Sequence, residues 1–160
     1  MIDSLAPIVG QYRINASLVT KSLADMTPED ILVRPNGEAN SALFIFGHIT
    51  HHRHILARIL GVEAPEPWGH LFGRGVKVLG GETYPEREEI TLAFQHVTEK
   101  LDGRFESLTE QELNSATDFS PPGMRKIVRD TMAFLSLHET YHVGQLAYIR
   151  RLFGYNQLVG

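Results

Sequence analysis

Val128-Arg129-Asp130-Thr131-Met132-Ala133-Phe134-Leu135-Ser136-Leu137-His138-Glu139-Thr140-Tyr141-His142-Val143-Gly144-Gln145-Leu146 lies in the longest periodic stretch of this 160-residue chain. The spacing predicts a helix that follows Pro121-Pro122-Gly123, runs to Phe153 and is stopped by Gly154. Its inward stripe reads Val128, Thr131, Leu135, His138, His142, Gln145, Ile149 and Leu152, in steps of three and four, as for a seam facing other helices. Residues i and i+4 of a helix sit one above the other, so His138 and His142 can grip one metal ion.

Three more segments share this period. The first spans about Ser4 to Ala24, with Leu5, Val9, Tyr12, Ala16, Val19 and Leu23 on one face. Thr27-Pro28-Glu29-Asp30 then looks like an N-cap with proline at N1, opening a short helical turn that Pro35-Asn36-Gly37 breaks. The second long helix is expected from Asn40 or Ser41 to Gly61, with Ile45, His48, His52, Ile55 and Ile59 inward. The third begins at Pro85, where Glu86, Glu88 and Glu89 suit the positive end of the helix dipole, and buries Ile90, Phe94, Val97, Leu101, Phe105 and Leu108. Val76-Lys77-Val78-Leu79 comes nearest to a strand but is short and bounded by glycines. Four amphipathic helices make an all-α four-helix bundle, residues 1–160 forming one domain. The connection from Gly61 to Tyr84 is as long as a helix, so helices 2 and 3 can run parallel through a crossover. It carries Trp68, Phe72 and Arg74, which are expected to line a pocket mouth, with Tyr141 of the last helix nearby.

Composition narrows the function. The net charge is −4 with no basic stripe, which argues against nucleic acid as the partner. No apolar run is long enough for a bilayer, and the N-terminus lacks the pattern of a signal peptide. There is no cysteine, so disulfides, thiolate ligands and a cysteine nucleophile are excluded, and a reducing, cytoplasmic location is expected.

Six of the eight histidines fall in residues 48–54 and 138–142. His48 and His52 on helix 2 mirror His138 and His142 on helix 4, each pair replacing the aliphatic residues a seam prefers. Buried neutral imidazoles need partners away from water, and a divalent ion between the two helices would supply one. The third ligand is then His48 or His52, whichever lies level with the other pair. His51 and His54 are off the stripe and expected to face solvent; His96 is off the helix 3 stripe, and His70 sits in the crossover. The His138-Glu139-Thr140-Tyr141-His142 string also fits the zinc-peptidase signature, but only 18 residues follow His142 and none is His, Asp, Glu or Cys. A metzincin would want Gly and His where Gln145 and Tyr148 stand, so a peptidase is disfavoured.

Gly47-His48-Ile49 and the His138 to Leu146 segment resemble the DinB-like (YfiT-like) superfamily, as do Asn40-Ser41, Phe72-Gly73-Arg74-Gly75 and the ending Arg150-Arg151-Leu152-Phe153-Gly154-Tyr155. The resemblance covers essentially the whole chain. It implies an up-down-down-up bundle, often a homodimer, with a three-histidine site for one divalent ion, commonly nickel or zinc. Carried over residue by residue, the ligands are His48, His138 and His142, and His52 becomes a neighbour of the site rather than a ligand; His52 as a fourth ligand would close the site and fit a non-catalytic role. Some relatives are thiol-dependent transferases or isomerases that use a low-molecular-weight thiol.

Three nitrogen ligands leave coordination positions open, the pattern of a catalytic site, and suit Zn2+, Ni2+, Fe2+ or Co2+. Such an ion activates bound water or thiol, or polarises a carbonyl. Glu139 is the base candidate, although it sits about 80° around the helix from the midpoint of the two histidines and can instead be buried against a neighbouring helix. Gln145, one turn below His142, is a candidate for orienting a ligand or substrate. The reading is a metal-dependent enzyme acting on a small molecule, either a hydrolase or a thiol-dependent transferase or isomerase. The alternative is a non-catalytic, stress-related module in which the metal pins helix 2 to helix 4.

Overall fold

The computed structural model describes residues 2–76 and 83–159, and among these residues there are seven α-helices and no strand. Four are long: α1 (Ala6–Leu23), α3 (Ala42–Ile59), α5 (Arg87–Ser107) and α7 (Val128–Leu152). Three are short: α2 (Pro28–Leu32), α4 (Gly69–Phe72) and α6 (Glu110–Leu113). The starts of α2, α3, α5 and α6 are set by side chains that satisfy the first free amides, whereas α1, α4 and α7 begin without a side-chain cap. Thr27 Oγ1 accepts from the Asp30 amide (3.1 Å), and Ser41 Oγ accepts from the Phe44 amide (3.2 Å). Glu86 and Glu89 form a reciprocal capping box at α5, and Thr109 and Glu112 do the same at α6. Gly154 closes α7 with φ 81°, a left-handed conformation that glycine adopts without steric cost. Residues 77–79 of the strand-like stretch lie outside the described residues.

Side-chain pairings give the helix directions. Along α1 and α7, Gln11 meets Ser136, Asn15 meets Thr140 and Ser22 meets Arg150, so the two helices are parallel. Along α3 and α5, Phe46 meets Phe94, Arg53 meets Thr98 and the Leu60 carbonyl meets Arg104, so these are parallel as well. Along α3 and α7, His48 meets His142 while Arg53 meets Glu139, so that pair is antiparallel. The result is the up-down-down-up bundle, with the Gly61–Tyr84 connection as the crossover between two parallel helices.

Most of the stripe announced by the period is buried on each long helix, but on α3 Ile55 and Ile59 are only half-buried while Arg53, Leu56 and Ala57 are inside. On α5, Ile90, Phe94, Val97, Leu101 and Phe105 are all inside, followed by Leu108. At the far end of α7 the stripe departs from expectation, because Leu152 is exposed beyond the last layer of the bundle. The apolar interior forms two clusters. One gathers Val19, Phe44, Phe46, Ile49, Phe94, Val143 and Leu146; the other gathers Val9, Tyr12, Leu56, Val97, Leu101, Met132 and Leu135. Between them lies a polar layer made by His48, His52 and Arg53 of α3 and His138, Glu139 and His142 of α7.

Candidate metal centre

Antiparallel packing of α3 on α7 brings both histidine pairs to one level. His48 Nε2 lies 3.4 Å from His138 Nε2, and His142 Nε2 lies 3.2 Å from the same atom. The donor nitrogens of His48, His138 and His142 all fall within 4.8 Å of one another. His48 and His142 are each only 8% exposed, and His138 is half-buried.

Tautomers follow from the partners. His48 Nδ1 donates to the Phe72 carbonyl (2.6 Å), and His142 Nδ1 donates to Gln145 Oε1 (2.7 Å). A carbonyl oxygen only accepts, so both Nδ1 atoms carry the proton and both Nε2 atoms present a bare lone pair to the centre. His138 Nδ1 is buried with no hydrogen-bond partner, whereas its Nε2 faces the other two. A single proton on His138 Nε2 would have to be shared between two acceptors. A cation would instead take all three lone pairs at once. Metal–nitrogen bonds of about 2.0–2.1 Å place two ligand nitrogens about 2.8–3.0 Å apart at a right angle and about 3.3–3.4 Å apart at the tetrahedral angle. The observed spacings of 3.2 and 3.4 Å fall within that interval, so these residues fit a divalent ion. The bare His138 Nδ1 departs from the usual pattern in which a ligand imidazole anchors its second nitrogen.

Burial also keeps the rings neutral. Loss of hydration pushes the His48 and His138 pKa values down to about 4, helped by the neighbouring imidazoles. His142 is lowered by the same burial, partly offset by its bond to Gln145. Neutral imidazole is the form that binds metal.

Of the other expected site residues, His52 is not part of the convergent group. Its Nδ1 donates to the His48 carbonyl one turn back (2.9 Å), and its ring packs 4.2 Å from that of His138. Burial lowers its pKa to about 2, so it is a neutral wall of the site. Glu139 is 2% exposed and turned away from the imidazoles. Both its oxygens are taken by Arg53: Nε to Oε2 at 2.8 Å and Nη2 to Oε1 at 2.7 Å. A carboxylate in such a two-pronged pair is poorly placed to accept a substrate proton, and of the two settings left open for it, burial against a neighbouring helix is the one observed. Arg53 also donates to Thr98 of α5 (2.6 Å) and to the Tyr12 carbonyl of α1 (2.9 Å), so one guanidinium touches all four long helices. Gln145 orients His142, and its own Nε2 donates to the Tyr141 hydroxyl (3.2 Å). The Tyr141 ring is 63% exposed and stands 5.1 Å from His142.

The crossover residues divide. Trp68 is half-buried against the core, Arg74 is exposed, and the Phe72 ring is fully inside, so it is core rather than pocket wall. What Phe72 presents to the site is its carbonyl, which sequence patterning does not reveal. His51 and His54 do not face solvent as the helical wheel suggested. His51 Nδ1 donates to Glu66 Oε1 (2.7 Å), and buried His54 donates from Nδ1 to the Ala64 carbonyl (3.0 Å). The wheel failed because the crossover folds back over this face of α3. His96 and His70 are exposed.

A cleft of about 730 Å3, lined by Ile55, Arg58, Ile59, Thr117, Phe119 and Val128, continues the same α3–α7 face. Phe119 packs on Phe134, and Phe134 stacks on His138, which links the cleft to the imidazoles. A more apolar cleft of about 480 Å3, lined by Leu23, Phe46, Thr91 and Phe94, lies between α1 and α5, away from the histidines. The convergent donors, and not the shape of a cleft, mark the site.

A solved structure, YfiT from Bacillus subtilis, matches 98% of this chain and 91% of its own with a TM-score of 0.72 at 11% identity. It is described as "a probable metal-dependent hydrolase with an unusual four-helix bundle topology". At that identity the likeness speaks for the fold. No curated protein matches. The model of the DinB superfamily matches residues 11–146, a span that holds all three convergent histidines. By that match, and by the bundle that carries it, the chain belongs to the DinB superfamily.

Proposed function

We propose that the protein binds one divalent metal ion through His48, His138 and His142 and acts on a small molecule, as a hydrolase or as a thiol-dependent transferase or isomerase. The observation that carries this is the convergence of three Nε2 atoms, two of them left as bare lone pairs by their outer hydrogen bonds. When bound, the ion would activate water or a thiol, or polarise a carbonyl, at the positions three protein ligands leave open. The chain's own groups position and enclose. Gln145 and the Phe72 carbonyl hold two of the rings, His52 and Phe134 wall the site, and the cleft at Ile55, Ile59 and Phe119 offers an apolar floor for a substrate. Zn2+ and Ni2+ are the ions we favour, with Fe2+ and Co2+ compatible with the same nitrogens. The lack of cysteine supports a cytoplasmic setting. The exposed stripe Leu137, Tyr141, Tyr148 and Leu152 on α7 supports a homodimer, which sedimentation equilibrium checks directly.

The test compares metal content of the purified protein with that of His142→Ala. We expect about one ion per chain in the parent and none held tightly in the variant, with the far-UV circular dichroism unchanged. Stoichiometric metal in both would remove the proposal. Screening esters, amides, epoxides and thiol adducts with the metal-loaded protein then separates hydrolysis from transfer. Metal-dependent stability with no turnover in any of these would favour the non-catalytic module.

A further inference from the structure

We infer that the crossover segment is part of the metal site: Gly47 and Phe72 together set the ring of His48, so that residues 64–73 determine metal affinity without supplying a ligand. This rests on the three-histidine reading above.

Three histidines on successive turns of α3 tie this segment down, each through Nδ1. His54 holds the Ala64 carbonyl, His51 holds Glu66, and His48 holds the Phe72 carbonyl. Only the last of these rings also faces the metal centre. The segment ends in the single turn α4, where the Leu71 and Phe72 amides bond to the Trp68 carbonyl and the Gly73 amide bonds to that of Gly69. Its depth is set at Gly47. A β-carbon there would lie well inside van der Waals contact of Cδ1, Cε1 and Cζ of Phe72, whose ring is fully buried beside Phe44 and Tyr84. Glycine in mid-helix is otherwise unfavourable. Here it lets the Phe72 ring reach α3, and that ring brings its own backbone carbonyl within 2.6 Å of His48 Nδ1. The bond fixes both the tautomer and the plane of His48. Groups that orient ligand imidazoles in this way typically alter metal affinity by roughly 10- to 100-fold when lost.

Gly47→Ala therefore acts at a distance. Alanine is the better helix former, so α3 is kept while Phe72 is pushed off it. Zinc affinity, measured by competition with a chromophoric chelator, should fall roughly 10- to 100-fold. Adding Phe72→Leu removes Cε1 and Cζ, the two atoms closest to the new methyl, and should restore most of the loss. Parent-like affinity in Gly47→Ala overturns the inference and leaves the three-histidine site standing. Parent protein that takes up no zinc, or His142→Ala that still holds it tightly, overturns the underlying site instead. The reciprocal effect needs no variant, because binding linkage is symmetric. In the parent, zinc should slow hydrogen exchange at the amides of Leu71, Phe72 and Gly73 but not at Leu113 of the remote α6 or at Asn114, which follows it. Saturation with zinc and no change at residues 71–73 also overturns it.

Discussion

The polar layer of this bundle contains two buried groups on the same pair of helices, and they are opposites. The Arg53–Glu139 pair is complete: each is 2% exposed, the carboxylate is held at both oxygens, and the guanidinium is further satisfied by Thr98, the Tyr12 carbonyl and the Phe94 ring 4.6 Å away. The three imidazoles are incomplete. Two turn bare lone pairs toward a third, whose other nitrogen has no partner. A closed ion pair needs nothing from outside, whereas a ring of acceptors needs a cation. Burial of polar groups alone is thus no mark of function; the mark is a set of groups whose hydrogen bonding remains unfinished.

The largest effect is expected from breaking the complete group. Glu139→Ala leaves Arg53 charged and unpaired in the interior and should cost about 3–5 kcal/mol in urea unfolding. Replacing both partners together, as Arg53→Met with Glu139→Leu, should recover most of this. If Glu139→Ala instead abolished turnover at parent stability, Glu139 would belong with the histidines.

The incomplete group should respond to metal. A hundredfold excess of zinc over its dissociation constant should stabilise the parent by about 2.7 kcal/mol, read as a rise in Tm, and should leave His142→Ala unmoved. Acid opposes this. With folded pKa values of about 4 against 6.5 in the unfolded chain, His48 and His138 stay neutral while unfolded imidazoles take up protons. Between those values the unfolded state binds more protons. Metal-free stability should therefore be complete above pH 6.5, decline as pH falls toward 4, and change no further through these groups below that. A metal-free unfolding series that is flat across this window would show the rings to be less buried than they are here.

Smaller effects should follow from the supports. Gln145→Leu removes the acceptor that orients His142 and should weaken zinc binding roughly 10-fold or more, with little change in metal-free stability. Tyr141→Phe removes only the hydroxyl that receives the Gln145 amide at an exposed ring. Zinc titration should detect a change within about threefold, since a solvent-exposed neutral hydrogen bond contributes little net energy.

Much of the molecule could be read without coordinates. The stripes of α1 and α5 are buried as their period predicts, Thr27 and Ser41 cap as their positions suggest, and the lengths of the connections allow the parallel α3–α5 pair. The i,i+4 histidines were legible because a helix places them on one face in any fold. Arg53 was not. It lies in a histidine-rich run, and nothing local says that its guanidinium reaches Glu139, 86 positions away, and not solvent. The surroundings of His51 and His54 escape the sequence for a related reason: a helical wheel shows which way a side chain points but not what lies there.

The periodicity and spacing of the sequence determine four amphipathic helices and two histidine pairs, since both depend only on the local repeat of the backbone. Which of His48 and His52 completes the trio, whether Glu139 meets metal or arginine, and how a phenylalanine carbonyl arrives at His48 depend on the vertical register of α3 against α7 and on where the crossover lands. Those are sums over many distant packing contacts, and only the folded chain adds them up.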